Sequence, residues 1–278
     1  MADDRARAGG GAPAEGPVSV TRSEALSPAA VSGLVWTLVR TDFKTRYQPT
    51  VGGFVWALLK PFAMFLVLMA VFSFIFGGDP AYRFHLIIGL FLWDFFAEAT
   101  KHGLVSLQAK SYLINKAKFP AWVLVISAAS NALITLGVVC VAIVVFLAVG
   151  GRAPGPLACG LFLLYLVQYI LIVTGFSLAA SVLFLRYRDL NQLWDVAIQA
   201  GFFVAPIVYP LSIIPERFHF FLYLWPPTPI IQFARAVLVE GTIPTARAHA
   251  FLAIETLVIL AIGLWVFRVL APRAAEYL

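Results

Sequence analysis

Between residues 54 and 270 the chain carries six apolar segments, read as 54–77, 86–107, 120–149, 157–185, 191–209 and 248–270. Each is near or above the ~18 residues that one helical crossing of a bilayer requires. Of the 278 residues 61% are hydrophobic and 12% charged, against about 45–50% and about 25% in soluble domains. There is too little charge here to coat a water-facing surface. The expected fold is all-α and integral to a membrane, a single embedded domain over 29–278, with no length left for a soluble catalytic domain of ~150 residues.

The flanking stretches have their own logic. Residues 1–28 are rich in Ala, Gly and Pro with mixed charges, too polar to offset chain entropy by burial, and are expected to form a disordered cytoplasmic tail. Asp3 and Asp4 open it, unlike a cleaved signal peptide, so the first apolar span is expected to be retained. Ser27-Pro28 then suits a helix start, followed by Val31, Leu34, Val35, Leu38 and Val39 opposite Ser32, Thr37, Arg40, Thr41 and Lys44. That pattern predicts an amphipathic helix lying in the interface plane, with Trp36 at headgroup level. Between 210 and 247 stand two shorter apolar pieces, 218–225 and 230–239, separated by Pro226-Pro227-Thr228-Pro229. Neither is long enough to span, and both are expected as re-entrant or interfacial helices. Pro61 and Pro206 fall inside the first and fifth spans, as kinks or as tolerated membrane prolines.

An even number of spans puts both termini on one side. That side carries Arg5, Arg7, Arg22, Arg40, Lys44, Arg46, Lys110, Lys116, Lys118, Arg186, Arg188, Arg268 and Arg273, whereas the other carries Arg83, Arg152, Arg217 and Arg235. The bias orients both ends to the cytoplasm. The net charge of +6 therefore belongs to the membrane face, and no nucleic-acid partner is expected.

Several chemistries are excluded. No G-x-x-x-x-G-K-[ST] motif and no Gly-Lys pair occurs, so no phosphate-cradling loop holds ATP, and a motor would have to be another chain. His85, His102, His219 and His249 form no HExxH pair, and Cys140 and Cys159 lack CxxC or CxxH spacing, so no metal site is indicated. The two cysteines sit at heights differing by roughly 10 Å in adjacent spans, beyond the ~7 Å reach of a disulfide, and are expected as free thiols.

The run from Asp42 to Pro61, Asp-Phe-Lys-Thr-Arg-Tyr-Gln-Pro-Thr-Val-Gly-Gly-Phe-Val-Trp-Ala-Leu-Leu-Lys-Pro, closely resembles the start of the first span in permease subunits of type-2 ABC exporters of lipid-linked polysaccharides (O-antigen, teichoic acid, capsule). Lys116-Ala117-Lys118-Phe119-Pro120 resembles that family's first cytoplasmic loop. Tyr187-Arg188-Asp189-Leu190, continuing to Phe202-Phe203-Val204-Ala205-Pro206-Ile207-Val208-Tyr209-Pro210 and Ile214-Pro215, resembles its fourth loop, fifth span and outer hairpin. The resemblance covers nearly everything after residue 30. It implies a homodimer of six-span subunits in a bacterial plasma membrane and two separate ATPase subunits that bind ATP and Mg, with no cofactor in this chain. It also implies a polyprenyl-diphosphate-linked glycan as cargo.

Under that resemblance the basic cluster Arg46, Lys44, Arg40 and Lys60 is a candidate for capture of the lipid diphosphate, Arg46 first because a guanidinium fork binds phosphate oxygens in pairs. The alternative is simple anchoring to anionic lipid. Lys110, Tyr112, Asn115, Lys116, Lys118 and Arg188 are candidates for coupling to the ATPase, or else ordinary solvated loop residues. Trp56, Trp93, Phe95, Phe202 and Tyr209 are candidates for an aromatic glycan path, whose flat faces bind sugar rings without reading linkages. Asp94, Glu98, Lys101 and His102 stack on one face of the second span. Lys101 and His102 are expected to pair with Glu98, and Asp195 is the other candidate partner. A proton relay in a secondary transporter is the competing reading of that stack. Small-molecule efflux and a membrane glycosyl- or acyltransferase remain further alternatives.

Overall fold

The computed structural model describes residues 28–47, 55–76, 79–112 and 121–272. The expected tail at 1–27 and the loop residues Asn115, Lys116 and Lys118 lie outside the described residues. No strand occurs among those described.

Helix α1 (Pro28–Tyr47) opens at the expected proline. Val39 is buried, Leu38 packs against the buried cluster that includes Leu124 and Phe267, and Trp36 is turned outward, which fits a helix lying against a bundle by one face. Six long helices then stand on the six apolar segments. They are α2 (Val55–Phe76), α3 (Tyr82–Ala109), α4 (Ala121–Val149), α5 (Pro156–Arg186), α6 (Leu190–Val204) and, after the outer loop, α9 (Ala246–Leu270). Four of the described helices contain stretches long and apolar enough to cross a membrane: Leu59–Phe76, Ala121–Val149, Pro156–Arg186 and Ala246–Leu270. Helix α3 carries Arg83, Asp94, Glu98 and Lys101, and α6 has 15 residues.

Helix α3 is the axis of the molecule. It packs against α2, α4, α5 and α6, and its buried positions run round the helix, from Tyr82 and Phe84 through Leu92 and Phe96 to Leu107. A helix wrapped in protein has no lipid-facing side, which is how it accommodates four charged residues in an apolar setting. Helix α9 lies parallel to α5. Near one end the Tyr165 hydroxyl and His249 Nε2 are 2.8 Å apart, and farther along Gly175 meets Gly263 backbone to backbone. A Cβ on Gly263 would fall 2.0 Å from the Gly175 carbonyl oxygen. In lipid, where apolar burial between helices gains little, such small-residue crossings let backbones approach and recover dispersion contacts.

The fifth apolar segment does not remain helical to residue 209. Helix α6 stops at Val204, and Ala205, which precedes Pro206, adopts an extended conformation (φ −71°, ψ 126°). The proline ring disfavours the helical region for the residue before it. Pro206 therefore terminates this helix, whereas Pro61 sits inside an unbroken α2.

After two short 3-10 turns (Leu211–Ile213 and Glu216–Phe218), the segment between α6 and α9 forms α7 (His219–Tyr223), α8 (Pro227–Arg235) and a π-helical turn (Ala236–Glu240). The proline cluster expected as a breaker instead starts α8. Pro227 and Pro229 occupy its first turn, where no backbone N–H is needed. Cys140 and Cys159 are free thiols.

Gly263→Ala places a methyl group into a backbone crossing that cannot yield. It is expected to destabilise the purified protein by about 2–3 kcal/mol, read as a lowered Tm in detergent. Gly160→Ala on α5, with open space around its Cβ, should leave Tm unchanged.

Candidate functional site

The termination of α6 frees backbone carbonyls inside an apolar protein, and Arg235 meets them. From α8 its Nη1 donates to Pro206 O at 2.6 Å, its Nη2 to Ile207 O at 2.7 Å and its Nε to His85 O at 2.9 Å. Gln232 Nε2 adds a bond to Pro206 O at 3.3 Å, and the Tyr82 hydroxyl donates to Val208 O at 2.9 Å. The guanidinium is 3% exposed. Burial pushes its pKa down to about 10, which leaves it protonated at neutral pH. The approach to α3 depends on Gly89, where a Cβ would lie 2.5 Å from Arg235 Nη2. Counted from sequence as an outer loop charge, Arg235 is in fact an internal pin joining α3, the end of α6 and α8. The signal available in sequence was a lone arginine within the apolar piece 230–239.

Behind this pin lies an aromatic cluster. Trp194 on α6 stacks on Phe176 with centroids 4.1 Å apart, and its indole N–H donates to Thr100 Oγ1 at 3.0 Å. Trp225, from the turn between α7 and α8, packs against Trp93, Phe96 and Trp194 at 6.0–6.4 Å. It rests on Gly201, whose Cβ would fall 2.4 Å from the indole ring. The segment between α6 and α9 is thereby keyed into the middle of the bundle.

On the other side of Trp93 a cavity of about 500 Å³ opens between α2, α3 and α6. Leu90, Trp93 and Asp94, at successive helical spacings on α3, form one wall, Lys60, Pro61, Met64 and Val67 on α2 the other, and Phe202 on α6 closes one edge. Trp93 and Phe202 meet edge to face at 5.9 Å. Asp94 and Lys60 share the cavity without a hydrogen bond or salt bridge to each other or to any other described residue. A carboxylate and an ammonium, neither with a hydrogen bond or close ion pair among the described residues, thus face an apolar, aromatic-walled space.

The remaining candidates are distributed as follows. Lys101 pairs with Asp195, tying α3 to α6, and His102 stands 3.9 Å from Glu98. The expected Lys101–Glu98 pairing is replaced because α6 brings a second carboxylate to Lys101. Lys110, at the end of α3, binds Asp42 of α1 and donates to Ser127 of α4 at 3.0 Å. Arg40, Lys44, Tyr112 and Arg188 are exposed, and Arg46 lies in the last turn of α1, its side chain outside the described part. Phe95 is buried against Tyr169 at 5.4 Å, on the α5 side of α3. Trp56 is exposed near the start of α2, and Tyr209 folds back to donate to Phe203 O at 2.7 Å.

Comparison with known proteins agrees with this architecture. Residues 33–239 match the family model described as ABC-2 type transporter. The chain is 28% identical over 250 residues to an O-antigen export system permease protein, RfbA, of Klebsiella pneumoniae, covering 88% of this chain and 95% of that protein. It is 27% identical over 239 residues to the RfbA of Myxococcus xanthus (82% and 88%). It is also 25% identical over 239 residues to the polysialic acid transport protein KpsM of Escherichia coli (84% and 92%).

Arg235→Met would remove three charge-assisted hydrogen bonds and leave Ile207 O without the Arg235 donor, while Pro206 O keeps Gln232, a cost of about 1–3 kcal/mol for a buried acceptor left unsatisfied. The expected result is a loss of about 1–3 kcal/mol or more of stability and poor accumulation in membranes. Arg217→Met, on an exposed turn, should accumulate normally in the same immunoblot.

Proposed function

Because the chain belongs to the ABC-2 type transporter family, we propose that it is the transmembrane subunit of an ATP-driven exporter of a polyprenyl-diphosphate-linked polysaccharide across the bacterial plasma membrane. The cavity that unites Lys60, Asp94, Trp93 and Phe202 carries this reading. Three of these residues were singled out in sequence for separate reasons: Lys60 as a cation at the headgroup level, Trp93 and Phe202 as sugar-stacking rings. The fold brings them to one space together with the intramembrane acid Asp94. No step of bond chemistry is assigned to the chain.

In this reading all six long helices cross the membrane, both termini are cytoplasmic, and the α7–α8 loop is a re-entrant hairpin on the outer side. Protein around α3 supports its crossing despite its charges, and α6 reaches the outer side through the extended residues that Arg235 solvates. A second copy of the chain completes the translocation path. The largely exposed apolar face of α2, including Phe62, Leu66 and Phe74, is the surface that such a partner would cover. Two ATPase subunits, which bind ATP and Mg, dock on the cytoplasmic ends of the helices. There Tyr112 and the α5–α6 turn with Arg188 are exposed, together with the loop that holds Asn115, Lys116 and Lys118.

The ion pair and hydrogen bond of Lys110 tie α1, α3 and α4 together at that end, so displacement of the loop after α3 moves the interfacial helix with it. Arg46 and Lys44, with Arg40 nearby, receive the diphosphate at headgroup level. The glycan then passes along Trp93 and Phe202. The ionisable side chains of α3 stand in three separate settings: Asp94 in the cavity, Glu98 by His102, and Lys101 on Asp195. That division does not support a continuous proton relay.

In cells co-expressing the partner ATPase, Lys44→Ala combined with Arg46→Ala should reduce surface glycan about tenfold or more, as expected for losing charge-assisted contacts of about 1.5 kcal/mol or more. Expression should be normal. Unchanged surface glycan at equal expression would remove the capture role. Fusing an enzyme that is active only outside the cytoplasm to Leu278 should give an inactive reporter, and activity there would reverse the orientation.

A further inference from the structure

We infer that Gln192 and Gln199 on α6 form a ladder of uncharged hydrogen-bonding groups for the hydroxyls of the translocated glycan, continuing the path from the α2–α3–α6 cavity along α6. The inference rests on the reading that this cavity lies on the glycan path. Its basis is where the long helices leave polar side chains exposed. On α4, α5 and α9 the exposed side chains between the first and last turns are apolar among the described residues, such as Val141 and Val145, Leu163 and Val167, and Leu257 and Ile262. Helix α6 differs. Gln192, in its first turn, and Gln199, near its middle, are both exposed. Neither side chain has a hydrogen-bond partner among the described residues. A spacing of seven residues sets them on one face, about 10 Å apart along the axis. Lys60 on α2 is exposed as well and lines the cavity, so exposed polar groups gather on helices that wall that space.

Hydrocarbon supplies neither donor nor acceptor to an amide, so this face of α6 is turned toward something polar. Phe202 follows Gln199 by three residues and closes one edge of the cavity, which places the amides in line with it along the helix. Asp195 stands between them and is taken up by Lys101. The free hydrogen-bonding capacity of the seam therefore belongs to the two amides. Each carboxamide offers two N–H donors and a carbonyl acceptor, which matches sugar hydroxyls that both donate and accept. Contacts between neutral groups are weaker than charge-assisted ones, so a hydroxyl is released as readily as it is taken up while the polymer advances. A second copy of the chain is the other polar occupant available to this face, and the test separates the two.

The test uses the full-length chain assembled with its ATPase partner, with Cys140→Ala and Cys159→Ala as background. Single cysteines are introduced by Gln199→Cys, by Met64→Cys on the cavity wall and by Leu257→Cys on the exposed face of α9. Each is treated with a charged methanethiosulfonate reagent, which reaches thiols through water, with and without mannotetraose. Position 199 is expected to react at least tenfold faster than position 257, and mannotetraose to slow positions 199 and 64 at least threefold. Gln192→Cys gives an independent reading should the first variant fail to assemble. In cells, Gln192→Leu combined with Gln199→Leu should lower surface glycan at least fivefold at equal expression, and Gln192→Asn with Gln199→Asn should restore most of it. Position 199 reacting no faster than position 257 would mean that this face meets lipid and would overturn the ladder. So would oxidative cross-linking of position 199 into a covalent dimer without any slowing by the saccharide, or unchanged surface glycan in the double leucine variant. Slowing at position 64 but not at position 199 would remove the ladder and leave the glycan path standing, whereas no slowing at either would remove the path itself.

Discussion

A chain in lipid must satisfy every backbone carbonyl from within, because hydrocarbon offers no donor. This constraint becomes acute where α6 stops at Val204, ahead of Pro206. The carbonyls released there are met by one guanidinium, whose five donors in a fixed planar fork suit several acceptors at once. Arg235 thus converts an interrupted helix into a defined corner. By also bonding His85 O it sets the N-terminal end of α3 against that corner. The placement of Trp225 in the bundle, and with it the wall shared by Trp93 and Phe202, follows from the same junction.

Helix α3 shows how a membrane protein houses ionisable groups. Its neighbours shield it on all sides, and each charge has a different setting. Lys101 meets Asp195 across to α6, Glu98 stands by His102, and Lys110 holds Asp42 and Ser127 at the C-terminal end of α3. Asp94 alone of these faces a cavity.

The family relationship and the geometry reinforce each other at different scales. Membership of the ABC-2 type transporter family concerns the overall plan: an all-helical, multi-pass membrane subunit that works with other chains and performs no bond chemistry itself. The geometry concerns this chain in particular, through the aromatic and charged residues at the interface of α2, α3 and α6. Under the proposed function, the ring faces of Trp93 and Phe202 offer a long repetitive cargo a surface on which it advances with few deep minima.

Sequence by itself determined the class of solvent, the long helices and their approximate limits, because apolar runs of bilayer length have no stable alternative to burial in lipid as helices. It also marked Trp93, Phe202, Lys60 and Asp94 as residues in need of a reason, since ionisable groups and large rings in such runs stand out by composition alone. Only the tertiary structure decided that these four share one cavity, while Phe95, one residue from Asp94, faces Tyr169 on the far side of α3. Helical periodicity fixes relative angles on one helix, but not which neighbour each face meets. The tertiary structure likewise decided that Arg235 is internal, that Pro227 starts a helix, and that Lys101 prefers Asp195 to Glu98. Each outcome depends on a donor or acceptor contributed by another segment, and no pattern local to these residues encodes that partner.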